Sequence, residues 1–262
     1  MALIDRTDSG ANVLLANLTQ PGRTLVFCDD TDVAPQPVPW LQPDLRILVA
    51  VEMDSEAYAA AAAELTARLA SLGMPEFHAA EIANPKGKSP WKALSPNERA
   101  SALHFLAGVL NDSGARVHQA HVQKAQFDTL KAQAQLVGKV GVGFKMGLKR
   151  VFLRCLCDHL AAAGEAMVVL DQDKPLAEPV VERWPEATFL VGGGPIGARS
   201  VDVPGLQLAD MAAWSINRML CRRPCFDDGT ATDIDRAALE LVGNLDGLGD
   251  LLAISAAAEQ AA

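Results

Sequence analysis

No apolar run in this chain reaches the roughly 18 residues that a membrane span needs, so no helical anchor is expected. Met1 to Gly22 has no basic stretch followed by an apolar core, and a secretory signal is not expected either. Cysteine is sparse and odd in number: Cys28, Cys155, Cys157, Cys221 and Cys225 follow no framework spacing. They read as reduced thiols in a cytoplasmic protein. Cys221-x3-Cys225 would be half a zinc site, but no second pair of suitable spacing follows. There are no internal repeats. Basic residues are also short, 23 Lys plus Arg against 32 Asp plus Glu, a net charge of −9.

That deficit is uneven. From Lys86 to Arg154 there are 12 basic residues and only the acids Glu98, Asp112 and Asp128, a local charge of +9. An acidic protein with a basic middle has either a solvated helical face there or a phosphate-contacting surface. With 262 residues, half of them hydrophobic, the chain can bury a sizeable core.

Strand and helix signals alternate. Thr24–Cys28 is a short apolar run that stops at Asp29-Asp30-Thr31-Asp32, and Leu45–Met53 is a second strand. Asp54-Ser55-Glu56 caps an Ala-rich helix ending near Gly73. Ser95-Pro96-Asn97-Glu98 is a capping box with proline at the first helical position, opening a helix to about Asn111 closed by Gly114. Arg116–Gln123 reads as a third strand, residues 127–163 as helix, Met167–Leu170 as a fourth strand and Thr188–Val191 as a fifth. The last clear helix runs from Gly205 to Leu220. This order predicts a layered α/β sheet of about five strands. Thr24–Cys28 belongs at its centre, because a fully apolar strand needs cover on both faces.

Two strands end in carboxylates, Asp29 with Asp30 and Asp171 with Asp173. Ligands of open α/β sheets bind at the carboxyl ends of strands. Asp210 interrupts an apolar helix and Glu81 sits in the apolar setting Phe77-His78-Ala79-Ala80-Glu81-Ile82. A bare charge in such a place must find solvent, a partner or a cation. If the four converge they repel one another, and Mg²⁺ or Mn²⁺ is the natural relief. Two such ions about 3.5–4 Å apart would clamp the attacking and leaving oxygens of a phosphodiester. Taken singly, each Asp is as readily a turn former or helix cap.

Other motifs carry less. Gly192-Gly193-Gly194-Pro195-Ile196-Gly197 has the glycines of a dinucleotide loop but opens no helix. Gly138–Gly147 lacks the Gly-Lys-Ser/Thr ending of a nucleotide loop. His118 and His121 face opposite sides of a strand. His78 is the histidine to retain, either as a structural residue or as a supporting group and proton donor for the carboxylates.

The four motifs Phe27-Cys28-Asp29-Asp30-Thr31-Asp32, Phe77-His78-Ala79-Ala80-Glu81-Ile82, Val169-Leu170-Asp171-Gln172-Asp173 and Gly205-Leu206-Gln207-Leu208-Ala209-Asp210 resemble, in order and spacing, those of the bacterial domain-of-unknown-function family numbered 3800. The last motif matches without change, and the resemblance spans about Thr24 to Leu220. It implies a ribonuclease H-like mixed β-sheet flanked by helices, and nuclease activity. Two positions depart from the family pattern: Asp30 stands where the family usually has Glu, and Asp32 where it has Gly. An extra acid would alter metal number or repel a phosphate.

The resulting expectation is a metal-dependent nuclease or phosphodiesterase, a hydrolase acting on DNA or RNA. Asp29, Asp30, Glu81, Asp171 and Asp210 would bind the metal, with His78 in the catalytic set and Gln207 and Asp173 in support. Lys145, Lys149 and Arg150 would contact phosphate. The alternatives are a non-catalytic binding protein of the same fold and a phosphohydrolase of a small phosphate ester. The organisation expected is an N-terminal arm (1–22), an α/β domain (23–222) and a C-terminal helical extension and tail (223–262).

Overall fold

The structure is a computed structural model that describes residues 10–32, 45–123, 156, 160, 164–171, 179–181 and 188–243. Six helices are described: α1 (Gly10–Leu18), α2 (Ser55–Leu72), α3 (Ala79–Ala83), α4 (Pro96–Asp112), α5 (Pro204–Asp227) and α6 (Asp233–Gly243). The strands are β1 (Thr24–Asp32), β2 (Leu45–Asp54), β3 (Arg116–Gln123), β4 (Ala166–Asp171), β5 (Val180–Val181) and β6 (Ile196–Ala198). They form one mixed sheet in the order β3-β2-β1-β4-β6-β5. β1 pairs antiparallel with β2 and parallel with β4. This is an α/β architecture with β1 inside the sheet, as its apolar run requires. Among the described residues, no helix is long and apolar enough to cross a membrane.

The local signals act as read. Asp54 accepts the Ala57 N–H at 2.7 Å to open α2, and Gly73 closes it at φ 65°. Ser95 and Glu98 form the reciprocal capping box of α4. Alternation along the strands separates two apolar layers. Leu25, Phe27, Ile47, Val49, Val51, Met167 and Val169 pack with α2, α4 and α5. Val26, Cys28, Leu48, Ala50, Ala166 and Val168 pack on the opposite face with Leu156 and Leu160.

Two expectations change. Thr188–Val191 is not a strand: Leu190 makes a single bridge to Ala166, and Val191–Gly193 is one turn of 3-10 helix. Gly192 and Gly193 adopt φ of 76° and 77°, which breaks the extended run, and the strand forms further on as β6. The last helix of the α/β region does not stop at Leu220 but continues to Asp227.

The segment read as an N-terminal arm contains α1, whose Leu14 and Leu18 are buried in the main core. In the segment read as an extension, α6 contributes Ala237 and Leu241 to that core. Asp235, with no accessible surface, ties α6 to α5 through the Arg218 guanidinium at 2.7 Å. It also accepts the N–H and hydroxyl of Thr232, closing a capping box at the start of α6.

Candidate carboxylate site

The register of β1 and β4 sets the site. Phe27 lies opposite Val169 and Cys28 opposite Leu170 in a parallel pair, so the next residues on the two strands are Asp29 and Asp171. Adjacent strands lie roughly 4.8 Å apart, and both residues have the parity of the face covered by α5. The same parity puts Thr31 under α5, where it accepts a hydrogen bond from Asn217 Nδ2 at 3.1 Å.

α5 brings the third acid. Its first turn lies so close to β1 that a Cβ on Gly205 would meet the Phe27 ring at 2.6 Å. One and a half turns later comes Asp210, between the fully buried Ala209 and Met211. Asp210 Oδ2 accepts the Ala79 N–H at 2.6 Å, and Gln207 Oε1, one turn earlier, accepts the Phe77 N–H at 3.0 Å. The other end of the Gln207 amide donates to the Ser200 carbonyl at 2.9 Å. Two side chains on one helix face therefore hold alternate N–H groups of the 77–79 segment. His78, between them, is exposed.

The electrostatics follow from this crowding. Burial pushes the Asp29 carboxyl well above the usual carboxylate range. Repulsion from Asp210 and Asp171 adds to the rise, against a stabilising bond from the Asp30 N–H at 2.7 Å. Asp210 is also raised, by burial first. His78 and the Ala79 N–H oppose that rise, while Glu76 and Glu81 reinforce it.

Sequence-predicted residues divide accordingly. Asp171 and Asp210 both lie near enough to Asp29 to repel it, and His78 and Glu81 are near enough to act on Asp210. Asp30 does not join them: it shares the parity of Val26 and Cys28, which pack on the opposite sheet face. Asp29 and Asp30 are adjacent in the chain, and adjacency in a strand means opposite faces. Glu81 sits at an exposed rim, where it accepts the Ser89 hydroxyl at 2.8 Å. Gln207 is buried and positions the loop. Asp173, Lys145, Lys149 and Arg150 lie outside the described residues. Two further residues belong to the site without having been singled out. Glu76 repels Asp210 and accepts the Ser200 hydroxyl at 2.9 Å, and Ser89 anchors Glu81. The signal for Glu76 was its place two residues before His78, the period of an extended segment.

The donors suit a hard divalent cation in chemistry: half-buried carboxylates, with Asp29 repelled by the other two. In position they are not assembled. Among the described residues no group of three or more His, Cys, Asp or Glu side chains is placed to hold a metal ion. One Asp210 oxygen is committed to Ala79, and Glu81 is turned to Ser89. No family model, curated protein or solved structure matches the chain.

Proposed function

We propose that the chain is a divalent-metal-dependent phosphodiesterase of nucleic acid with a ribonuclease H-like fold, of the family of unknown function that its motifs resemble. The observation that supports this reading is that β1 and β4, paired in parallel, end side by side at Asp29 and Asp171, and that Asp29 is repelled by both Asp171 and Asp210. Keeping three acids together is costly without a compensating charge. Asp29, Asp171 and Asp210 are the residues that would hold Mg²⁺ or Mn²⁺. A cation there would supply Lewis-acid stabilisation of a phosphodiester and favour ionised water. The protein's own part is positioning. The β1–β4 register sets two carboxylates side by side, Gln207 fixes the loop, and His78, exposed near Asp210, would exchange a proton with the departing oxygen.

A second reading, a non-catalytic binding protein, is favoured by one observation: the carboxylates are not arranged as a set of three ligands among the described residues. Titration calorimetry with Mn²⁺, run alongside cleavage assays on DNA and RNA, separates the two. Saturable Mn²⁺ binding that is lost in Asp29→Asn and Asp171→Asn, with cleavage lost in the same variants, is the expected result. Nucleic-acid binding without cation binding or cleavage favours the second reading. Hydrolysis of small phosphate esters alone would replace the nucleic-acid substrate.

A further inference from the structure

Next to Glu81 lies a short loop whose positive charge meets no acid among the described residues. Residues 84–94 contain Lys86, Lys88 and Lys92 and no acid, in a chain with a net charge of −9. All three lysines are exposed. Eight arginines have their charge or their guanidinium engaged. Arg23, Arg116, Arg199, Arg218, Arg222 and Arg236 all lie against carboxylates. Arg99 donates to the carbonyls of Ile82 and Ala83, and Arg68 lies over the Phe105 ring. Among the described residues, none of the three lysines has an ion-pair partner.

The loop is also held in place. Trp91 is fully buried, its ring 5.8 Å from that of Phe77, the residue whose N–H Gln207 accepts. Ser89 donates its hydroxyl to Glu81 and its N–H to the Lys86 carbonyl at 3.0 Å, closing a tight turn. Gly87, at φ 55°, supplies the left-handed residue that turn requires. Lys86 and Lys88 therefore project from a pinned turn beside Glu81, which lies near enough to Asp210 to repel it. A solvated lysine loop has no need of such anchoring. A polyanion approaching an acidic cluster does need fixed positive charge at the rim, because the carboxylates repel it. Little ordering cost remains to be met when the lysines bind, since the turn is already formed.

We propose that the Lys86–Lys92 loop is a phosphate-backbone contact, the part of a nucleic-acid binding surface that flanks the Asp29–Asp171–Asp210 site. The inference rests on the phosphodiesterase reading for its substrate class and adds the element that grips it. Recognition is of charge and spacing, without base reading, because between Lys86 and Lys92 there is no amide side chain and the one aromatic, Trp91, is buried.

The test is a fluorescence-anisotropy titration of the full-length chain with labelled single-stranded and duplex DNA at several salt concentrations. Ca²⁺ is included to block turnover, and Mn²⁺ calorimetry is run on Ca²⁺-free aliquots of the same preparations. The triple variant Lys86→Ala/Lys88→Ala/Lys92→Ala should bind more weakly. Its log–log salt slope should flatten by about 0.9 per lysine on duplex, or about 0.7 on single strands. The triple Lys→Arg variant should retain the wild-type slope. An unchanged slope in the alanine variant overturns the inference. So does a wild-type protein that binds Mn²⁺ but no DNA, which leaves the metal reading standing. Wild-type DNA binding that depends on the three lysines, with no Mn²⁺ binding, supports the loop assignment and removes the metal reading. Equal competition by heparin and by unlabelled DNA supports a charge-only contact, whereas binding of labelled heparin with no binding of DNA overturns the nucleic-acid assignment.

Discussion

The Asp210 carboxylate accepts the Ala79 N–H at 2.6 Å while repelling Asp29 across the site. One side chain thus does two things: it fixes the first turn of α3 and adds negative charge to the cluster. Substitutions can separate these roles. Asp210→Asn keeps an oxygen for Ala79 but removes the charge. It should fold with near wild-type stability, relieve Asp29 of repulsion and weaken Mn²⁺ binding. Asp210→Ala should lose the cap as well, costing about 1–3 kcal/mol for a buried donor left unpaired. Thermal melts and calorimetry on the two variants distinguish the roles. Equal destabilisation by Asn and Ala would show that the charge, not the cap, matters to the fold.

Gln207 is predicted to act on the loop through both ends of its amide. Gln207→Ala leaves the Phe77 N–H and the Ser200 carbonyl without partners. A loss of about 2–4 kcal/mol is expected from two such groups. Hydrogen exchange read at the Phe77 and Ala79 amides should accelerate well before exchange in β1. Uniform acceleration throughout the sheet would mean that Gln207 serves global stability instead.

Gly205 permits the close approach of α5 to β1. The Gly205→Ala Cβ would sit 2.6 Å from the Phe27 ring atoms, too close without a shift of helix or ring. Overpacking of this kind costs about 1–3 kcal/mol. Phe27→Leu should recover part of that loss in the double variant, where the large ring no longer meets the added methyl. Additive destabilisation in the double variant would sever the proposed link between the two residues.

The pH dependence of stability should carry opposing limbs. Asp29 and Asp210 have folded pKa values raised above the ordinary 3.8, so the folded state holds their protons more tightly than the unfolded one. Their contribution is fully present below about pH 3.8 and is lost as pH rises through the folded values. Asp235 is the reverse. Burial favours its neutral form, but the bonds from Thr232 and Arg218 outweigh burial and hold it below 3.8. Its contribution is present above 3.8 and lost as pH falls through the folded value. Asp29→Asn should therefore be more stable than wild type at neutral pH, with the gap closing in acid. Mg²⁺ should raise the wild-type melting temperature and leave that of Asp29→Asn unchanged. A gap that stays constant from acid to neutral pH would contradict the assigned shift.

How much of this was legible in the sequence depends on the range of the physics involved. The capping box at Ser95 and Glu98, the caps of α2 at Asp54 and Gly73, the start of β2 and the bounds of β3 are set by neighbours within a few residues, so the sequence alone determined them. The central place of β1 followed from its unbroken apolar run. Asp29, Asp171 and Asp210 were nameable because each acid ends or interrupts an apolar stretch. The exclusion of Asp30 was available in principle from the period of two, since Val26, Cys28 and Asp30 share a parity. What tertiary structure decided was which distant groups meet. The register that sets Asp29 beside Asp171 comes from the pairing of strands some 140 residues apart. The approach of α5, which brings in Asp210, depends on the absence of a side chain at Gly205 over Phe27. Glu81 looked buried from its apolar neighbours, yet it faces outward because Ala79 and Ile82 take the inner side of α3. The pinning of the lysine loop, Ser89 on Glu81 and Trp91 on Phe77, joins neighbouring stretches of chain, yet packing of that kind leaves no periodic trace in the sequence.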